Sequence, residues 1–281
     1  MNIARCFATL AGFGVRVSVE RALFAIVVIA VLGPCDASAA WHDRYPDDGP
    51  QLPVHYVHLT GHGGDNDANR ANLLARQHAC VDMMKVLGKS VKSMSADELP
   101  AVISVHDIEI YYAAQRTLTV SQGTLFDINR DDCTVLPVPH HIVHFAWTAG
   151  RCDVDLIRKL ARGSCDVASL AGGPLPGAAV QPRRPARALD VPGRVVAGVS
   201  CQDHRLPLGD EVCVAEPDAK DAPNPYPIPP APLNAGVPGI LVEARTRALT
   251  LRAREVRLNI SVSNQMFALP PGIRVKAGAT E

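Results

Sequence analysis

Histidine supplies the first candidate chemistry of this chain. His55, His58 and His62 fall close together, and His140, His141 and His144 form a second group. Imidazole nitrogens bind zinc or copper when three or four of them converge. Strand residues at odd offsets face opposite sides, so His55 diverges from His58, and His141 from His144. A metal centre therefore requires the two groups to meet in space, and surface or loop histidines are the simpler expectation. A second metal idea depends on processing. A new end at Ala40-Trp41-His42 offers an amine, two amides and an imidazole, a square-planar set for Cu(II) or Ni(II). An end at Trp41 destroys that chelate.

Nucleophilic chemistry finds little support. His62-Gly63-Gly64 after a short strand suggests an esterase oxyanion loop, but those enzymes need a G-x-S-x-G elbow. The nearest segment, Gly198-Val199-Ser200-Cys201-Gln202, lacks the final glycine. Asp65 with Asp67, Asp131 with Asp132, and Asp153 with Asp155 lack the spacing of a calcium loop and suit turns and caps. There is no phosphate-cradling loop and no C-x-x-C-H haem attachment. The expectation is a non-enzyme without cofactors.

The cysteines carry more weight. Arg16 and Arg21 precede the apolar run Ala22–Leu32, and Ala37-Ser38-Ala39-Ala40 follows. That is the pattern of a secretory signal peptide, cut after Ala39 or Ala40, with an apolar core too short to span a bilayer. Cys35 follows Pro34, which does not suit a lipobox. Residues 1–40 are thus read as a signal peptide and 41–281 as one periplasmic domain with no transmembrane span. Six cysteines remain in an oxidising compartment, Cys80, Cys133, Cys152, Cys165, Cys201 and Cys213, and an even number there reads as disulfides. Fifteen pairings are open. The short separations favour Cys201–Cys213 and Cys152–Cys165, leaving Cys80–Cys133. The full chain is formally neutral, and the mature part stays close to neutral, so nothing argues for nucleic acid.

The elements that must position these residues follow from hydrophobic period. Val54–Leu59 reads as a strand stopped by Gly61, Gly63 and Gly64. Asp67 caps a helix whose apolar face runs through Ala68, Ala71, Leu74, His78, Val81 and Met84, ending at Gly88. Ser95 caps a short helix over Ala96–Leu99. Strands are expected at His106–Tyr112, Arg116–Val120, Thr124–Ile128, Asp131–Leu136 and His141–Trp147, with a short helix at Asp155–Arg162. Two proline-rich loops, 171–193 and 217–238, interrupt the later strands Arg194–Val199, Glu211–Ala215, Ile240–Ala244, Leu249–Arg254 and Glu255–Ser263. In the last, Val256, Leu258, Ile260 and Val262 share one face by alternation.

Val195–Cys201, the proline-rich loop, Pro238–Glu243, two amphipathic strands and the closing Phe267–Ile273 segment together resemble the periplasmic lipoprotein-carrier superfamily, the LolA/LolB-like half-barrels. The resemblance implies an α+β fold: a curved antiparallel sheet packed around one main helix, here disulfide-stabilised. It implies an apolar cavity for a lipid or lipidated ligand, lined by Val256, Leu258, Ile260 and Val262 and closed by Phe267. The expected function is non-enzymatic periplasmic binding of a lipid or lipoprotein. The first alternative is a structural or protein-interaction envelope module with a filled core. The second is a metal protein using the histidine groups.

Overall fold

Alternation over long segments builds the molecule, because a strand buries one set of side chains per face. The computed structural model describes residues 39–45, 49–113, 116–147, 150–165, 187–188, 192–206, 209–215, 237, 239–247 and 249–276. The apolar run Ala22–Leu32, Cys35 and most of both proline-rich loops lie outside the described residues. Thirteen strands follow in chain order: β1 (Gln51–Gly63), β2 (Ser104–Tyr112), β3 (Arg116–Ile128), β4 (Val135–Trp147), β5 (Gly150–Asp155), β6 (Leu160–Gly163), β7 (Arg187–Ala188), β8 (Arg194–Val196), β9 (Val199–Arg205), β10 (Glu211–Ala215), β11 (Ile240–Arg245), β12 (Leu249–Ser263) and β13 (Arg274–Val275). Among the described residues one α-helix, α1 (Asn66–Val86), joins β1 to β2. The strands form one open path, β13-β6-β5-β4-β3-β2-β1-β12-β11-β10-β9-β7, with β8 paired to β9. All pairs are antiparallel except β13 with β6, so the sheet is mixed.

The central strands are buried on both faces. Ile108, Ile110 and Tyr112 of β2 enter one core with Val57 and Leu59 of β1 and the inner residues of β10 to β12. Tyr111 of β2 and Tyr56 of β1 point the other way, into a second core with Leu118, Val120, Val143, Phe145 and Val154. Trp41, Met266 and Phe267 fill that core. The two cores therefore take opposite faces of β1 and β2, and these strands serve both.

The helix differs from its expected role. The sheet does not wrap around α1, which instead packs two small clusters onto Phe126, Ile128 and Val135. Asp65, not Asp67, is its N-cap, accepting the Ala68 N–H at 2.9 Å. Its buried residues are Leu73, Gln77, Cys80, Val81 and Met84, so the inward face is rotated from the expected one. Gln77 explains the rotation. This buried amide donates to the Lys92 and Cys133 carbonyls and accepts from Met94 N–H, a polar anchor that apolar counting overlooks.

Several expected breaks are continuous strand. Gly61 and Gly123 lie inside β1 and β3 because a Cβ there would run into the carbonyl oxygens of Thr250 and Val105 on neighbouring strands. The glycines permit close approach rather than a stop. The expected strands Leu249–Arg254 and Glu255–Ser263 are likewise one, β12. The expected helix at Asp155–Arg162 is instead the β5–β6 hairpin. Asp155 accepts the Arg158 N–H, Lys159 takes a positive φ, and the turn beats a helix too short to nucleate.

All three favoured cysteine pairs are at bonding distance, with Cα separations of 5.7 Å for Cys80–Cys133, 5.0 Å for Cys152–Cys165 and 5.5 Å for Cys201–Cys213. The last two staple the two main cores, and the first fastens α1 to the turn before β4. No described helix is long and apolar enough to cross a membrane. These disulfides and that absence are compatible with an extracellular or periplasmic protein.

Candidate functional site

The five residues expected to line one cavity do not share one. Val256 packs against the first core, opposite Val57. Ile260 and Val262 pack against the second, and Phe267 is buried there. Leu258 is 41% exposed. The cause is a bulge: one β1 residue, His55, is spanned by both Leu258 and Asn259 of β12, between the pairs Val54–Ile260 and Tyr56–Arg257. Asn259 has φ +55°, and its N–H donates to His55 Nδ1 at 3.1 Å. One extra residue flips the side-chain parity, so the even positions on either side of it face different cores.

The histidine groups do not assemble either. His55 is a buried acceptor for that bulge, His58 Nε2 lies 2.9 Å from Asp107, and His144 Nδ1 lies 2.8 Å from Asp153. Among the described residues no three His, Cys, Asp or Glu side chains are placed to hold a metal ion. One pair does meet. His106 and His140 face each other across Gly123, ring centroids 5.4 Å apart. Burial, with His140 and His62 nearby, lowers the His106 pKa to about 4. The Asp107 hydrogen bond works oppositely on His58 and raises its pKa.

The most concentrated buried polar group was missed by motif reading. Glu109 of β2 is 6% exposed, on the face shared with Tyr111. Its Oε2 accepts the Trp41 backbone N–H at 2.9 Å and the Tyr111 O–H. Tyr111 Oη in turn meets the His42 N–H at 3.2 Å and His42 Nδ1 at 2.9 Å. Because the tyrosine proton goes to Glu109, His42 must donate from Nδ1. Burial and the Glu109 charge push the Tyr111 pKa up, so the phenol stays protonated. The segment Trp41–Arg44 is a short 3-10 turn, and the Trp41 ring is buried against Tyr45 and edge-on to His141. All the nitrogens that an Ala40-Trp41-His42 chelate would take from Trp41 and His42 are thus engaged. The sequence signal available was Glu109 itself, a carboxylate set between Ile108 and Ile110 and followed by Tyr111 and Tyr112.

A charged stripe crosses β8, β9 and β11. Arg194 forms a two-pronged bond to Asp203 and reaches Glu243 Oε2 at 2.8 Å. Arg245 lies 2.8 Å from Glu243 Oε1, close enough to pair though poorly aligned for a hydrogen bond. Burial pushes the Glu243 carboxyl up, but Arg194, Arg245 and Arg252 together hold it below its ordinary value. These residues border a cleft of about 300 Å³ whose charges already satisfy one another. Such a network stitches strands and offers no vacant ligand group.

Exposed apolar residues occur at the end of α1, at Met83, Val86 and Leu87, and on the β3–β4 arm. Leu125 and Val138 sit directly opposite each other on β3 and β4, and with Leu136 they are 40–45% exposed. The other face of this arm is covered through Phe126, Ile128 and Val135.

No family model, curated protein or solved structure matches this chain, so the likeness to half-barrel carriers rests on the quoted sequence segments alone.

Proposed function

We propose that the chain is a non-enzymatic binding module of the cell envelope that takes a protein partner on the β3–β4 arm. The observation that carries this reading is the exposed aliphatic face of Leu125, Leu136 and Val138 on a strand pair whose reverse is already packed. Contiguous aliphatic exposure on a rigid sheet suits a protein partner. Two filled cores support a surface site over an interior one, because the residues expected to line a lipid cavity are divided between them. The leader and the three cysteine pairs support the periplasm as the place where this occurs.

The test is a photo-reactive residue at position 138, with position 254 on the far half of the sheet as control, irradiated in secreting cells. A discrete protein adduct at 138, lost when Leu125→Asp is added and not formed from 254, is the expected result. Adducts to lipid alone, or identical patterns at both positions, would overturn the reading.

A further inference from the structure

Glu109 is a buried carboxylate without a cation. Among the described residues no Lys, Arg or His lies within ion-pair distance of it, and its partners are the Trp41 N–H and the Tyr111 O–H. An ionised carboxylate removed from water costs several kcal/mol, which two neutral donors offset poorly. One of those donors is the backbone nitrogen of the residue that follows a small-x-small segment, Ser38-Ala39-Ala40.

We propose that the Ala40–Trp41 bond is the processing site, and that the α-ammonium left on Trp41 is the missing ion-pair partner of Glu109. The inference rests on the secretory reading above. A signal peptidase adds water across the Ala40–Trp41 peptide bond. The departing leader keeps Ala40 as a carboxylate, and the Trp41 nitrogen takes up protons to become an ammonium. Its nitrogen already stands 2.9 Å from Glu109 Oε2, so an amide N–H bonded to a carboxylate becomes an ammonium–carboxylate ion pair without rearrangement.

Burial favours this boundary over the one a residue earlier. Ala39 is exposed and Ala40 half-buried, whereas the Trp41 side chain is 3% exposed and fixes its own backbone in the second core. Cleavage one residue earlier leaves the new amine on Ala40, about 3.8 Å further along the chain, with Trp41 N still an amide. Cutting at Ala40 sacrifices one hydrogen bond, from Asp43 N–H to the Ala40 carbonyl, but Asp43 is exposed and water replaces that acceptor. Removal of the leader thereby completes the second core electrostatically, and the precursor lacks this ion pair.

The first measurement is the amino terminus of the secreted protein by intact mass and sequencing. A start at Trp41 is expected. A start at Ala40 overturns the inference while leaving secretion intact, and an unprocessed Met1 start overturns both. The second uses the same mature protein and an amine-reactive aldehyde selective for α-amines. Labelling of native protein is expected to be at least about tenfold slower than that of unfolded chain, because the paired ammonium is neither free nor exposed. Equal rates overturn the pairing. The third compares the Trp41-start chain with a chain keeping one extra alanine, each with and without Glu109→Gln. The extra alanine is expected to lower Tm by roughly 5–15 °C with Glu109 present and by far less in the E109Q background, the mark of a shared interaction. Additive effects overturn it.

Discussion

His106 shows how a single side chain sets the response to acid. Its pKa is lowered to about 4 by burial and by His140 and His62, against an ordinary value near 6.5. The unfolded chain therefore binds the proton first. This residue's contribution is complete above about pH 6.5 and is lost as pH falls toward 4. His58 has the opposite sign. Its pKa is raised by Asp107, so its contribution is present below about pH 6.5 and fades as pH rises through the folded value. Replacing His106 with Gln is expected to reduce the fall in Tm between pH 7 and pH 4.5, measured by thermal melts at the two pH values. An unchanged fall would mean that another group drives the acid response. Little of this was legible in the residues themselves. The sequence suggested two histidine triplets as the chemistry, and His106, which has no histidine neighbour in the chain, proved to be the partner of His140. Register across Gly123, not spacing along the chain, brings them together.

At the scale of the elements, period was informative and punctuation was not. The alternation of β2 was readable, with Ile108, Ile110 and Tyr112 on one side and Glu109 and Tyr111 on the other. Gly61 and Gly123 looked like stops because an isolated sequence cannot show a carbonyl of the next strand waiting where a Cβ would go. The bulge at Leu258 and Asn259 was invisible for the same reason, since its cause is the partner strand and the His55 acceptor. The β4 arm shows a further device. Pro137 and Pro139 lie where β5 has not yet joined, and a proline ring within a paired strand must turn its nitrogen away from the neighbour. That edge loses two donors and is a poor template for another strand. The disulfides were the most legible feature, because short separations in an oxidising compartment favour local pairing. Their energetic rank follows loop length. In the chain-entropy account, closing the loop of 53 residues between Cys80 and Cys133 contributes about 4 kcal/mol, and each of the shorter loops about 3. Double alanine replacement at Cys80 and Cys133 is expected to cost the most in urea unfolding. A larger loss from either short loop would point to strain or packing instead.

For the whole molecule, the shared central strands predict a single unfolding event. β1 and β2 contribute buried side chains to both cores, so neither half retains its sheet if the other melts. Leu251→Ala in the first core and Phe145→Ala in the second are each expected to cost about 2–5 kcal/mol and to shift one common calorimetric transition. Two transitions, each moved by one mutation only, would show that the halves are independent. A strand-rich chain with one main helix and three cysteine pairs was readable from period and spacing. The second core was not, because a strand with both faces buried looks in sequence like a strand with one buried face and several large polar-capable residues. Tyr56, Tyr111 and Glu109 supply that second face, and each pairs a polar group with apolar bulk.

The proposal of a surface site outside the two cores is tested most directly by native mass spectrometry of the purified protein followed by organic extraction. The account predicts a chain six hydrogens lighter than its reduced form, with nothing released by solvent. A stoichiometric lipid freed on denaturation would contradict it and return the interior of the sheet to the role of a cavity.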